Sequence, residues 1–167
     1  SFCFPTILSN DFFTGLVVRP GYSLADTGAQ SGVIGRQAFR NHEKALNELG
    51  LKPCKLDFTE STTGIGGGAD CLATVMIPIG VCGKSLIGKW TVISDDNIPP
   101  LTPLGLFRKL HGVIDPVDKT IHYKEINKTQ VMEELSSGHI AHSLMEFGDG
   151  FKLEDEPDGT NFEWQFR

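Results

Sequence analysis

Apolar residues along this 167-residue chain fall into short runs separated by glycine, proline and polar residues. Such runs, bounded by turn-forming residues, are typical of β-strands joined by tight turns. Residues 12–18 and 22–25 flank Arg19-Pro20-Gly21, which predicts a hairpin with its turn at Pro-Gly. Two longer β-rich runs, residues 71–79 and 86–93, predict a second hairpin with its loop at residues 80–84. The pattern therefore favours a mostly β fold.

In two places the apolar residues change from strand-like runs to a helical spacing. Residues 36–49 predict a helix whose apolar stripe is formed by Ala38, Phe39, Ala45, Leu46 and Leu49. Gly50 stands where a helix C-terminal glycine belongs, and Pro53 blocks any continuation. Residues 104–110 predict a second, shorter helix.

The pattern weakens beyond residue 126, and we divide the chain there into a domain, residues 1–126, and a C-terminal extension, residues 127–167. Residues 140–147 fit either a strand or a short helix. The end of the chain is acidic and carries alternating aromatic residues, Phe162, Trp164 and Phe166. This alternation predicts a final strand that docks on the domain or on a partner.

Composition narrows the classes of function. A net charge of −6 argues against a nucleic-acid groove, because phosphate binding needs clustered Lys and Arg, and it disfavours an anionic membrane surface. No apolar run is long enough to span a bilayer, so no membrane insertion is expected. Four cysteines without a C-x-x-C pair indicate reduced, mostly buried thiols of an intracellular protein. We expect neither a metal nor a cofactor.

The candidate chemistry lies in the stretch Leu24-Ala25-Asp26-Thr27-Gly28-Ala29-Gln30-Ser31. An apolar run delivers Asp26 into a turn where Thr27 and Gly28 let the backbone come close. A carboxylate needs such a turn if main-chain donors are to hold it rigidly. The same tripeptide also occurs as an ordinary turn after a strand, so downstream residues are needed to decide.

These residues resemble the Asp-Thr-Gly motif of the retropepsin-like aspartic proteases. A second match follows, because residues 98–104, 106–110 and 113–115 are similar to the end of a retropepsin-like domain from retroelement polyproteins. Residues 137–140, Ser-Gly-His-Ile, are similar to segments that trail some of these domains. The resemblance implies a small, closed or semi-closed acid-protease barrel over residues 1–126, with one or two short helices. It also implies that Asp26 lies beside Val33-Ile34 and residues 101–106.

The resemblance also implies a mechanism and an assembly. Two facing carboxylates share one proton, which gives one base and one acid near neutral or mildly acid pH. This chain has one Asp-Thr-Gly, so a homodimer in which each subunit contributes the catalytic Asp26 is implied, cleaving a polypeptide substrate. Thr27 would brace the dyad across the two-fold axis, Gly28 would accept substrate main chain, and Ala29 would complete the supporting loop.

Two features depart from the family pattern. Pro103 and Gly105 stand where the family places a glycine after two apolar residues. The candidate flap over the substrate lies later in the chain than expected, and it consists of Gly64, Ile65, Gly66, Gly67 and Gly68. Both departures keep an alternative open, in which a catalytically inactive retropepsin-like domain serves as a binding or structural subunit of a larger hetero-assembly.

Other apparent motifs have simpler explanations. Gly83-Lys84-Ser85 ends like a phosphate-binding loop, but Pro78 replaces its first glycine and a strand pattern follows. The histidines lack zinc-helix spacing, so we expect them to be scattered over the surface; they are His42, His111, His122, His139 and His142.

Overall fold

The computed structural model describes residues 18–29, 31–61 and 69–149, together with the backbone of residues 165–166. These residues form two helices, α1 (Arg36–Glu48) and α2 (Leu104–Lys109), and twelve strands. The strands are β1 (Tyr22–Ala25), β2 (Gly32–Gly35), β3 (Cys54–Lys55), β4 (Cys71–Val81), β5 (Lys84–Ile93), β6 (Leu101–Thr102), β7 (Gly112–Asp115), β8 (Thr120–Tyr123), β9 (Lys128–Val131), β10 (Glu133–Glu134), β11 (Ile140–Ser143) and β12 (Gln165–Phe166). The mostly β prediction and both predicted helices are confirmed.

Most strands belong to one sheet, in the order β10-β11-β1-β6-β2-β5-β4-β3, with β12 paired to β5. Strands β1 and β6 pair in parallel, as do β2 and β5, and the other pairs are antiparallel. A second antiparallel sheet has the order β7-β8-β9. Within the described residues the large sheet does not form a closed barrel. Its end strands β10 and β3 are each two residues long and offer few ladder hydrogen bonds.

The predicted turns have the geometry that their residues require. The Tyr22 amide donates to the Arg19 carbonyl at 2.9 Å, and Gly21 has the positive φ of 84° that the third residue of a Pro-Gly turn needs. Strands β4 and β5 are joined by Cys82 and Gly83, both with positive φ. This two-residue turn is tighter than the predicted loop over residues 80–84. The strand predicted over residues 12–18 lies outside the described residues except for Val18.

Helix α1 ends at its predicted glycine. Gly50 has a φ of 75°, its amide donates to the Asn47 carbonyl, and the Leu51 amide donates to the Leu46 carbonyl, both at 3.0 Å. This is the Schellman pattern of a helix C-terminus, and Leu46 and Leu51 are both buried in the core. Leu49, which the sequence placed in the apolar stripe, is 55% exposed because it is the C-cap residue.

Two of the three apolar clusters in the core, the largest one and a smaller one, meet at β6. Trp90 in the large cluster is 1% exposed, and its indole nitrogen donates to the Leu101 carbonyl at 3.1 Å. Leu101 belongs to the smaller cluster, which also contains Leu24 of β1 and Ala141 of β11. Strands β1, β6 and β11 are thus held together by packing as well as by hydrogen bonds.

The close approach of β2 to the segment before β6 depends on Gly35. A Cβ at this position would collide with the backbone carbonyl oxygens of Ile98 and Asp95. Gly35→Ala is therefore expected to lower the free energy of unfolding by about 1–3 kcal/mol, because backbone atoms must move. Gly112→Ala is the matched control, since its Cβ would meet only side-chain atoms at 3.3 Å or more. Equal losses for both variants in urea titrations would contradict this reading.

Residues beyond 126 take part in both sheets. Strand β9 pairs with β8, β11 pairs with β1, and the amide of Gly80 donates to the Leu144 carbonyl at 2.6 Å. Residues 140–143 form a strand, and the predicted final strand is present as β12, whose backbone pairs with β5. No helix among the described residues is long and apolar enough to cross a membrane.

Candidate functional site

Asp26 follows directly after β1, where two chain segments converge. The Asp26 amide donates to the Thr102 carbonyl at 3.0 Å, and the Leu104 amide donates to the Ala29 carbonyl at 3.1 Å. Val33 pairs with Leu101 on the other side of β6. The Asp-Thr-Gly turn therefore packs against the start of α2, and the predicted adjacency of the two motifs is confirmed.

The Asp26 carboxyl group is held by its own turn. Its side chain is buried, with 7% of the residue exposed, and its Oδ1 accepts a hydrogen bond from the Gly28 amide at 3.2 Å. The Ala29 amide donates to the Asp26 main-chain carbonyl at 3.1 Å. Burial raises the pKa of Asp26, and the amides of Gly28 and Ala29 oppose this rise. The carboxyl group is thus fixed in orientation and takes up a proton more readily than an exposed aspartate.

Beside Asp26 lies a cavity of about 420 Å³. Its lining comes from the end of β1 and the turn after it, from residues 138–140 at the start of β11, and from Ile114 of β7 and Met132. The lining residues are Leu24, Ala25, Asp26, Thr27, Gly28, Ile114, Met132, Gly138, His139 and Ile140. Most of this lining is apolar, so the cavity offers a carboxyl group at the edge of a pocket suited to an apolar side chain.

Besides Asp26, the titratable side chain among the residues that line the cavity is His139. The Ser137 hydroxyl lies 2.7 Å from its Nδ1 and fixes the ring orientation, and burial lowers the pKa of its imidazole. The histidine pattern placed this residue on the surface. The sequence feature that includes this residue is the resemblance of residues 137–140 to segments that follow some retropepsin-like domains. That resemblance assigned no role to His139.

Three polar side chains behind the Asp26 turn are buried completely: Ser23 on β1, Thr102 on β6 and His142 on β11. The Thr102 hydroxyl donates to Ser23 Oγ at 2.6 Å, and His142 Nε2 lies 2.9 Å from Thr102 Oγ1. His142 is not on the surface, and neither is His42 on α1, which is 2% exposed. Burial lowers the pKa of each of these two imidazoles to about 4.

The remaining predicted residues are placed as follows. Thr27 and Gly28 are exposed, and Ala29 is half-buried. Pro103 is the buried N-cap residue of α2. The candidate flap, Gly64 to Gly68, lies outside the described residues.

Within the described part of the chain, no group of three or more His, Cys, Asp or Glu side chains is arranged to hold a metal ion. Cys54, Cys71 and Cys82 form no disulfide among the described residues, and they are half-buried rather than fully buried.

No family model matches the sequence, and no curated protein matches it. Among solved structures, the chain is similar to the retroviral protease-like domain of Ddi1 from Leishmania major. The two are 15% identical with a TM-score of 0.36, and the match covers 66% of this chain and 93% of that one. Both values are low, so the retropepsin-like assignment stays a prediction beside the mostly β fold.

Proposed function

We propose that the chain is an aspartic endopeptidase whose active site combines Asp26 from two copies. The observation that carries this proposal is the setting of Asp26: a buried carboxyl group with a raised pKa, held by the Gly28 amide at the edge of an apolar cavity. Carboxyl groups with perturbed pKa values that line a cleft are candidates for proton transfer. The exposed Thr27-Gly28 tip leaves this edge accessible to a second copy.

In the proposed dyad, the two Asp26 carboxyl groups share one proton because like charges at short distance do not both ionise. The ionised carboxylate takes a proton from water as the water oxygen attacks the scissile carbonyl carbon. The protonated carboxyl group hydrogen-bonds to the carbonyl oxygen. The proton taken from water then passes to the leaving nitrogen as the carbon–nitrogen bond breaks.

The proposed substrate is a polypeptide with an apolar side chain next to the scissile bond. Leu24, Ala25, Ile114, Met132 and Ile140 supply an apolar lining within the cavity of about 420 Å³. An apolar side chain placed there leaves water, which contributes about 25 cal/mol per Å² of buried surface to binding. This would position the adjacent peptide bond beside Asp26.

We expect the specific activity to fall on dilution in step with the dimer fraction, because one carboxyl group per chain leaves one proton-transfer role unfilled. The terminal dipeptide Gln165–Phe166 pairs with β5 of its own chain. We therefore assign the dimer contact to the Thr27-Gly28 tips, rather than to these two residues. Cleavage of a mixed peptide library and sedimentation should be measured over the same concentration series.

Constant specific activity at concentrations where only monomer sediments would contradict the dyad. A stable monomer without activity at any concentration would favour the inactive binding subunit instead.

A further inference from the structure

The buried side chains of Ser23, Thr102 and His142 form a chain of hydrogen bonds whose direction is fixed at one end. Ser23 Oγ lies 3.0 Å from the Pro100 carbonyl oxygen, which can only accept, so the Ser23 proton points there. Ser23 Oγ must then accept the Thr102 proton, and Thr102 Oγ1 is left as an acceptor. His142 Nε2 therefore carries a proton and donates it to Thr102.

The chain of hydrogen bonds ends at a backbone carbonyl oxygen that also holds β1 in place. The Pro100 carbonyl oxygen accepts both the Ser23 hydroxyl and the Leu24 amide, the latter at 2.9 Å. The Thr102 carbonyl accepts the Asp26 amide. Strand β6 is only two residues long, so its own ladder gives β1 little support. The side-chain bonds add a second connection between β1, β6 and β11 directly behind the turn that carries Asp26.

We propose that His142 is a positioning residue for Asp26, acting through Thr102 and Ser23 to fix β1 against β6. His142 does not line the cavity, so it does not act on the substrate. Its imidazole packs against the Phe107 ring of α2 at 5.7 Å between centroids. Buried hydrogen bonds of this kind restrict the geometry of a site. Each donor in this chain has an acceptor, and His142 Nδ1, which carries no proton in this tautomer, has no hydrogen-bond partner among the described residues. The catalytic consequence rests on the proposed function, whereas the effect on β1 does not.

The test compares His142→Leu, which removes the donor, with His142→Gln, whose amide can donate to Thr102. Hydrogen exchange of the Asp26 and Leu24 amides is measured by NMR, together with kcat and KM for peptide cleavage. His142→Leu is expected to lower kcat about 10- to 100-fold with little change in KM, because a small displacement of a catalytic group has effects of this size. His142→Gln is expected to restore most of kcat.

The exchange arm separates positioning from general stability. In His142→Leu, exchange at Asp26 and Leu24 is expected to increase more than at the β4 amides of Val75 and Ile77. The control is His42→Leu, which removes the other buried imidazole. The backbone group that affects the His42 ring is that of Pro78 on β4, outside the hydrogen-bonded connection between β1, β6 and β11. It is expected to leave kcat and the Asp26 and Leu24 exchange unchanged relative to β4.

Uniform acceleration of all amides with unchanged kcat per folded molecule would overturn the proposal, because it would show a structural role alone. If His142→Leu does not fold, Thr102→Val breaks the same connection with nearly the same shape and is expected to give the same local pattern. If the native protein cleaves no peptide, the proposed function fails, while the exchange of Asp26 and Leu24 still tests the positioning role.

Discussion

Asp26→Asn is expected to abolish peptide cleavage and to leave the fold intact. The amide has nearly the shape of the carboxyl group and can still accept the Gly28 amide, but it neither takes a proton from water nor shares one across a dyad. Loss of general acid–base catalysis lowers rates by about 10²- to 10⁴-fold, and both subunits of the dimer lose their group together. The melting temperature at neutral pH should stay equal or rise, because burial disfavours the ionised Asp26.

The matched control is Asp57→Asn, which makes the same chemical change at an exposed carboxylate outside the cavity. It should retain native kcat. A statine-type inhibitor, which carries a hydroxyl group in place of the scissile carbonyl, should block the native protein. Cleavage that survives in Asp26→Asn would place the catalyst elsewhere, and loss of folding in that variant would make Asp26 a structural residue.

Local patterns in the sequence were enough to predict the elements that surround Asp26. The turn at Pro20-Gly21 and the C-terminus of α1 at Gly50 depend on glycine in a left-handed conformation, which few other residues adopt without strain. Both are present where the sequence placed them. The resemblance of two motifs, Asp-Thr-Gly and the segment that begins at residue 98, predicted that Asp26 lies beside residues 101–106. The hydrogen bond from the Asp26 amide to the Thr102 carbonyl confirms this.

Pairings between distant segments were beyond those local patterns. Strands β11 and β1 pair although more than a hundred residues separate them in the sequence. This pairing brings His139 to the cavity and His142 into the core. Neither residue differs in local spacing from an exposed histidine. Whether the sheet closes was left open in the sequence for a related reason, since closure depends on the length of β3 and β10, which sequence alternation does not define well.

The buried histidines change the expected pH dependence of the proposed enzyme. An Asp dyad alone would favour activity from acid to neutral pH. His42 and His142, however, each have a pKa lowered to about 4 by burial; the backbone of Pro78 opposes this at His42 and that of Ser143 at His142. In the unfolded chain both take up protons near the ordinary histidine pKa of about 6.5. The folded chain is therefore at a disadvantage in mild acid.

We expect the free energy of unfolding to fall as the pH drops from about 6.5 to about 4 and to level off below. In that range the unfolded chain binds protons that the folded chain does not bind, so acid favours unfolding. By the lower end of this pH range, each histidine lowers the free energy of unfolding by about 3 kcal/mol, because one pKa unit corresponds to about 1.36 kcal/mol. Together they equal a large part of the 5–15 kcal/mol that stabilises a typical domain. Cleavage should then be lost in mild acid through unfolding, before the Asp26 dyad becomes fully protonated.

Urea titrations at pH 7, 6, 5 and 4.5 measure this loss directly. The double variant His42→Leu and His142→Gln is expected to remove most of the pH dependence, because neither replacement titrates. His111→Gln is the control, since His111 is exposed, and it should keep the native dependence. An unfolding free energy in the native protein that is flat from pH 7 to pH 4.5 would show that the two imidazoles are not held neutral in the folded state. It would also leave Asp26 as the group that sets the acid limit of cleavage.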